Sequence, residues 1–183
     1  MKIKKRIILV GGAGSGKDYA RKILENIGFK YAIPYTTREP RIGEKEGIDY
    51  YFRNKQFFIK NIFDLFSITE FNNWLYGITQ KQFYEECNLF ILPPKEILNL
   101  SKKDRNESFV IYFDISKKIR IERLKKRKNY NDNIIRRINS DEKDFNNFKE
   151  YDYVIKNPNF TKEDLINIIK NIKINKNGKK ELL

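Results

Sequence analysis

Residues 11 to 18 read Gly-Gly-Ala-Gly-Ser-Gly-Lys-Asp, behind the aliphatic run Ile7 to Val10 and ahead of a segment with helical spacing. Glycines in this setting let consecutive backbone N–H groups turn inward around a phosphate, which bulkier residues would obstruct. A helix beginning near Lys17 adds the positive end of its dipole, and the Lys17 ammonium can reach the β- and γ-phosphates of a nucleotide. The spacing therefore predicts a phosphate cradle formed by Gly12, Ala13, Gly14, Ser15, Gly16, Lys17 and Asp18. Asp18 stands where this loop normally carries a Ser or Thr whose hydroxyl binds Mg²⁺. A carboxylate is also a hard oxygen donor suited to Mg²⁺, but it repels a triphosphate. The expectation is a nucleotide site with altered metal geometry, with Asp18 as the candidate metal ligand.

A second set of charges lies in the stretch YTTREPRIGEKEGIDYYF, from Tyr35 to Phe52. Arg38 and Arg41, three residues apart, can offer forked donors to another phosphate, with Tyr50 and Tyr76 adding phenolic hydroxyls. Taken alone, such arginines would read as a solvated surface pair. The chain contains no histidine and a single cysteine, which excludes His-based triads, imidazole acid–base chemistry, structural zinc and an internal disulfide. Phosphoryl transfer survives these exclusions, because alignment and charge stabilisation supply most of its rate. Cys87 precedes an apolar run and reads as a buried, inert thiol; its isolation points to a reducing compartment, and the expected location is the cytoplasm. A net charge of +14 favours anionic partners, although Lys, Asn and Ile are abundant throughout the chain. No basic-aromatic module of the usual nucleic-acid-binding kinds is visible, and the apolar part of the first dozen residues is too short for a membrane span or signal core.

These groups must be positioned by elements of two kinds. Ile7 to Val10, Leu89 to Leu92, Phe109 to Ile115 and the YDYVIKN stretch at 151 to 157 read as strands, and Phe29 to Ile33 as a further one. Helices are expected over Lys17 to Asn26, Ser116 to about Lys126 with Ser116 as N-cap, Ile134 to Phe148, and Thr161 to Ile172 with Thr161 and Asp164 as a capping pair. Strands alternating with helices of this length imply an α/β chain with a doubly wound parallel sheet. Between Pro34 and Thr79 the pattern changes to turn residues, aromatic clusters and short alternations, as in a separate small lobe.

The stretch from Tyr35 to Phe52 resembles the phosphate-acceptor segment of guanylate kinases, T-T-R-x-P-R-x-G-E-x-x-G-x-D-Y-x-F, with the spacing intact. Tyr76-Gly77, the run RLKKR at Arg123 to Arg127, RRI at Arg136 to Ile138 and YDYVIKN extend the resemblance from about Ile7 to Ile172. It implies one P-loop domain at 1 to 183: a core over 1 to 33, 81 to 124 and 135 to 175, an acceptor lobe over 34 to 80, a lid over 125 to 134, and a basic tail from 176. It implies an enzyme that uses ATP and Mg²⁺ to phosphorylate a nucleoside monophosphate, GMP or dGMP, with lobe and lid closing to exclude water. Arg38, Arg41, Tyr50 and Tyr76 would grip the acceptor's phosphate, with Thr79 also on the acceptor. Arg123 and Asn157 would serve ATP, and Lys17, Arg38, Arg127 and Arg137 would stabilise the transferring group. The expected partners are small nucleotides, with no membrane or nucleic acid, on a monomer or homodimer.

The pattern breaks where such enzymes read guanine. Counting back from Tyr76-Gly77, Ser67 occupies the position of a guanine-reading Glu, with Glu70 as a nearby substitute. After Leu89 to Leu92 the expected D-x-D-x-Q-G stretch is replaced by Pro93-Pro94, and Asp18 could compensate for the lost acid. Selection for GMP should weaken accordingly. A kinase for another monophosphate or a phosphorylated sugar, and a non-catalytic module of the same family, are the alternatives; retention of Lys17 argues against the last.

Overall fold

The computed structural model describes residues 4–71, 73–126 and 133–172. Two compact units divide the chain: one comprises the residues up to Phe29 and from Asn88 onward, the other Lys30–Cys87. Numbered along the chain, the strands are β1 (Arg6–Gly11), β2 (Tyr35–Thr36), β3 (Tyr51–Phe52), β4 (Leu65–Phe71), β5 (Trp74–Thr79), β6 (Leu89–Ile91), β7 (Ser108–Phe113) and β8 (Tyr153–Ile155). The α-helices are α1 (Lys17–Asn26), α2 (Lys55–Lys60), α3 (Pro94–Leu98), α4 (Lys102–Glu107), α5 (Lys117–Lys125), α6 (Ile134–Asp144) and α7 (Lys162–Lys170), with a π-helical turn at Gln82–Glu86.

Ile7, Ile8, Leu9 and Val10 are wholly buried, as an aliphatic strand covered on both faces must be. In the first unit β1 lies inside a parallel sheet of order β6-β1-β7-β8. Successive strand residues face opposite ways, and β7 shows what covers each side. Tyr112 stacks on Phe145 at the end of α6, at 5.4 Å and 6°, while Phe113 packs on Phe160, which also meets Tyr19 of α1. Helical elements thus cover both faces, the doubly wound arrangement expected from the alternation. The α7 capping box forms as the spacing predicts: the Thr161 hydroxyl accepts from Asp164 N–H and the Asp164 carboxylate accepts from Thr161 N–H.

Three expectations are corrected. No strand forms over 29 to 33. Tyr31 makes only a single-residue bridge, the Ile33 carbonyl accepts from Gln82 Nε2, and the Tyr31 carbonyl accepts from the Cys87 thiol. The helix expected to reach Phe148 ends at Asp144, and three residues later Asn147 adopts φ 61°, a left-handed conformation incompatible with continuing it. Ser116 does precede α5, but its side chain makes no capping bond.

In the second unit β2, β3, β4 and β5 form a small sheet of order β3-β2-β5-β4, with α2 against it. Phe58 of α2 is buried; a Cβ added at Gly77 would meet Phe58 Cε1 at 3.2 Å, so glycine lets the helix approach the strand. Cys87 is half-buried, and burial, followed by the charge of Glu86, pushes its thiol up to about 11. It is an inert group at neutral pH.

In the first unit Leu124 of α5 packs with Ala13, Ile121, Ile134 and Ile138, and is fully buried with Ile138. Leu124→Ala should therefore cost about 2–5 kcal/mol and lower the thermal midpoint by several degrees, measured by calorimetry. A shift within one degree would mean that α5 and α6 do not share this core.

Candidate active site

β1 delivers the chain into the glycine-rich loop, and α1 begins directly after it. Gly14 and Gly16 have φ of 77° and 106°, values that side-chain-bearing residues rarely adopt. Lys17 occupies the first helical position. Its ammonium donates to the carbonyls of Gly11 at 2.5 Å and Gly12 at 2.9 Å, so the flexible side chain is folded back over the loop. Asp18, one residue on, is exposed in the first turn of α1, where a carboxylate is favoured by the helix dipole.

Arg123 projects from α5 and donates to the carbonyls of Gly14 at 3.1 Å, Ser15 at 3.3 Å, and Pro158. All three acceptors are main chain, so this guanidinium ties the phosphate loop to the segment after β8. In that segment the Asn157 carboxamide oxygen accepts from Asn159 N–H at 2.9 Å and closes a turn. Arg137 lies on α6 at helical spacing with Ile134 and Asp141; its neighbour Ile138 packs on Ala13 of the loop. Arg127 and residues 127 to 132 of the expected lid lie outside the described residues.

Two residues of this unit escaped sequence reasoning. Asp141 Oδ2 accepts from Ala13 N–H at 2.7 Å and from Arg120 Nη1 at 2.9 Å, in a buried setting behind the loop. A cavity of about 260 Å³, walled by Gly12, Tyr112, Asp114, Lys117 and Phe145 among others, adjoins the same pair. Burial, then the charge of Asp114, pushes the Tyr112 phenol there up to about 12, so it stays protonated at neutral pH.

In the second unit the acceptor motif gathers around Arg38, which is almost completely buried. Its Nη2 donates to both oxygens of Glu44 at 2.8 Å and its Nη1 to the Glu39 carbonyl at 2.8 Å. The guanidinium lies 5.1 Å from the centre of the Tyr50 ring, which in turn meets Tyr76 at 6.0 Å. Burial pulls the Arg38 pKa down, but the hydrogen bonds and charge of Glu44 outweigh it and hold it above the usual guanidinium value. Glu44 also accepts from the main-chain N–H of Arg41 at 2.8 Å, so one carboxylate holds the Arg38 guanidinium and the Arg41 backbone. Its spacing from both arginines is the signal of this role in the sequence.

The strands also place Glu70 and Thr79, the two other residues expected at the acceptor. Thr69 stands opposite Tyr76, and Ser67 opposite Ile78, so both hydroxyl residues share the Tyr76 face of the sheet. Glu70, opposite Leu75, falls on the other face with Gly77 and α2, and is exposed. The strand's period of two therefore places it on the face opposite Tyr76. The Thr79 hydroxyl donates to Gln82 Oε1 at 3.3 Å and accepts from Gln82 N–H at 3.1 Å, a turn-forming role.

These features were compared with known proteins. A family model described as guanylate kinase matches residues 3–173. The chain belongs to the guanylate kinase family. The guanylate kinase of Aster yellows witches'-broom phytoplasma is 34% identical over 176 residues, covering 86% of this chain and 82% of that protein. The guanylate kinase of Rickettsia felis is 33% identical over 166 residues, with 84% and 85% covered. Among solved structures, guanylate kinase from Anaplasma phagocytophilum superposes with a TM-score of 0.66 at 23% identity, over 93% of this chain and 85% of that one, a likeness of fold.

Proposed function

We propose that the chain transfers the γ-phosphoryl group of ATP to GMP or dGMP. The observation that carries this reading is the buried Arg38 guanidinium, fixed by Glu44 and faced by the Tyr50 ring, which meets Tyr76, in a chain that also keeps the lysine-bearing phosphate loop. A phosphate-binding loop alone suits many nucleotide hydrolases, whereas a second anion site built from arginine and phenols suits a phosphorylated acceptor.

The loop amides and Lys17 hold the donor's phosphates, and Arg38, Arg41, Tyr50 and Tyr76 hold the acceptor's. Arg137 supplies positive charge from α6, and Arg127 is proposed to do the same. Arg123 and Asn157 shape the loops beside the donor. Mg²⁺ fits as a partner of the nucleotide. Among the described residues no group of three or more potential ligands forms a protein cage, and Mg²⁺ typically binds through one or two carboxylates plus phosphates and water. Asp18 is the carboxylate we assign to it, and the bound ion would neutralise charge on the phosphates. Among the described residues no helix is long and apolar enough to cross a membrane. We place the enzyme in the cytoplasm as a monomer or homodimer, acting on small nucleotides.

Coupled ADP release tests the reading across GMP, dGMP, dTMP, dUMP and CMP. GMP and dGMP should turn over fastest. Their margin over the pyrimidine nucleotides should be narrow, because Ser67 and Thr69 put hydroxyls rather than carboxylates on the Tyr76 face. No ADP release above background with GMP would overturn the assignment, and a pyrimidine nucleotide turning over faster would reassign the acceptor.

A further inference from the structure

We propose that Arg120 is a positioning residue of the phosphate loop, which it serves by neutralising the carboxylate bonded to the loop's outer side. The inference rests on the nucleotide-binding reading above. Asp141 holds Ala13 N–H at 2.7 Å with the same oxygen, Oδ2, that takes Arg120 Nη1 at 2.9 Å. Both side chains are nearly enclosed, at 9% and 12% exposure. Arg120 is anchored independently of Asp141: its Nε donates to the Ile115 carbonyl at 3.1 Å. Its Nη2 lies 3.9 Å from Glu142 Oε1, while Lys117 takes the other Glu142 oxygen at 3.0 Å.

The loop is also fitted to this arginine in shape. A Cβ at Gly12 would stand 2.2 Å from Arg120 Nη1, and one at Gly14 would stand 2.8 Å from the Arg120 carbonyl. Two of the loop's glycines therefore clear space for Arg120.

The electrostatic consequence follows from what the loop must do. Its amides attract a polyanion, yet one of them is bonded from behind by a second anion in a water-poor setting. A neutral acceptor would satisfy Ala13 N–H equally well. The carboxylate is compatible with anion binding only while its charge is matched, and Arg120 is the cation bonded to it. Loss of Arg120 exposes the nucleotide phosphates to an unmatched negative charge. Loss of both charges together returns the loop to neutrality.

ATP affinity with Mg²⁺ present, measured by calorimetric titration, tests this in Arg120→Gln, Arg120→Lys and the double variant Arg120→Gln with Asp141→Asn. Arg120→Gln should weaken ATP about tenfold while the KM for GMP stays within about twofold of the unsubstituted enzyme. Arg120→Lys, which keeps the charge, and the double variant, which removes both charges, should each bind ATP within about threefold of the unsubstituted protein. The inference is overturned if Arg120→Gln binds ATP normally, or if the double variant is as weak as Arg120→Gln, since packing rather than charge would then be at work. Should Arg120→Gln fail to fold, the other two decide: both within about threefold supports the proposal, and a tenfold loss in the double variant overturns it. Failure of the unsubstituted protein to bind ATP would remove the nucleotide reading itself, a result distinct from all of these.

Discussion

Lys17→Met should lower turnover with ATP about a thousandfold and leave the fold in place, to be checked by coupled ADP release beside a thermal melt. In phosphoryl transfer the protein contributes alignment and charge rather than covalent chemistry, so the cation beside the transferring group carries a large share of the rate. The Lys17 ammonium sits at the loop on the Gly11 and Gly12 carbonyls, bonds that a triphosphate's oxygens can replace at little cost. Methionine keeps the length and apolar stem of the side chain and removes only the charge, so the expected loss of about 4 kcal/mol belongs to the transition state. A variant that keeps a tenth or more of the activity would mean that another cation does this work.

Arg38→Ala has the second large effect and strikes the other substrate. The KM for GMP should rise by about a hundredfold and kcat/KM should fall by about a thousandfold, while ATP affinity is unchanged in a direct titration. Arg38 is buried and its charge is matched by Glu44, so truncation also strands a carboxylate. That stranding can cost about 3–5 kcal/mol of stability, so a thermal melt must accompany the kinetics. Arg38→Lys separates the two contributions. Lysine retains the positive charge for Glu44 but cannot reproduce a planar fork, so stability should largely return while the GMP defect persists. If Arg38→Lys restored both, the site would need only a point charge, and the forked grip on the acceptor's phosphate would be wrong.

Both experiments address residues that were legible in the primary structure, and for the same reason. The phosphate loop is a local object: strand, turn, lysine and helix follow one another within Arg6–Asn26, so their spacing encodes their geometry. The acceptor motif is nearly as local, since Arg38, Arg41, Glu44 and Tyr50 lie on one continuous stretch whose bonds close over a few residues. The buried strand β1 was equally readable, because an unbroken aliphatic run has little alternative to being covered on both faces.

Errors arose where a residue's setting depended on what packed beside it. Apolar residues at 29 to 33 suggested a strand, but only Tyr31 bridges, and the Tyr31 and Ile33 carbonyls meet the Cys87 and Gln82 side chains. Which face of the sheet Glu70 occupies was likewise set by the pairing of β4 with β5, which places it opposite Leu75 rather than Tyr76. The Asp141 bond to Ala13 spans 128 positions in the chain and the Asp141 pair with Arg120 spans 21. No periodicity links such residues. The sequence by itself determined which groups can bind phosphate and how the local turns present them. Tertiary structure alone decided which charges stand behind those turns, because burial and partnership are properties of the packed chain rather than of the order of its residues.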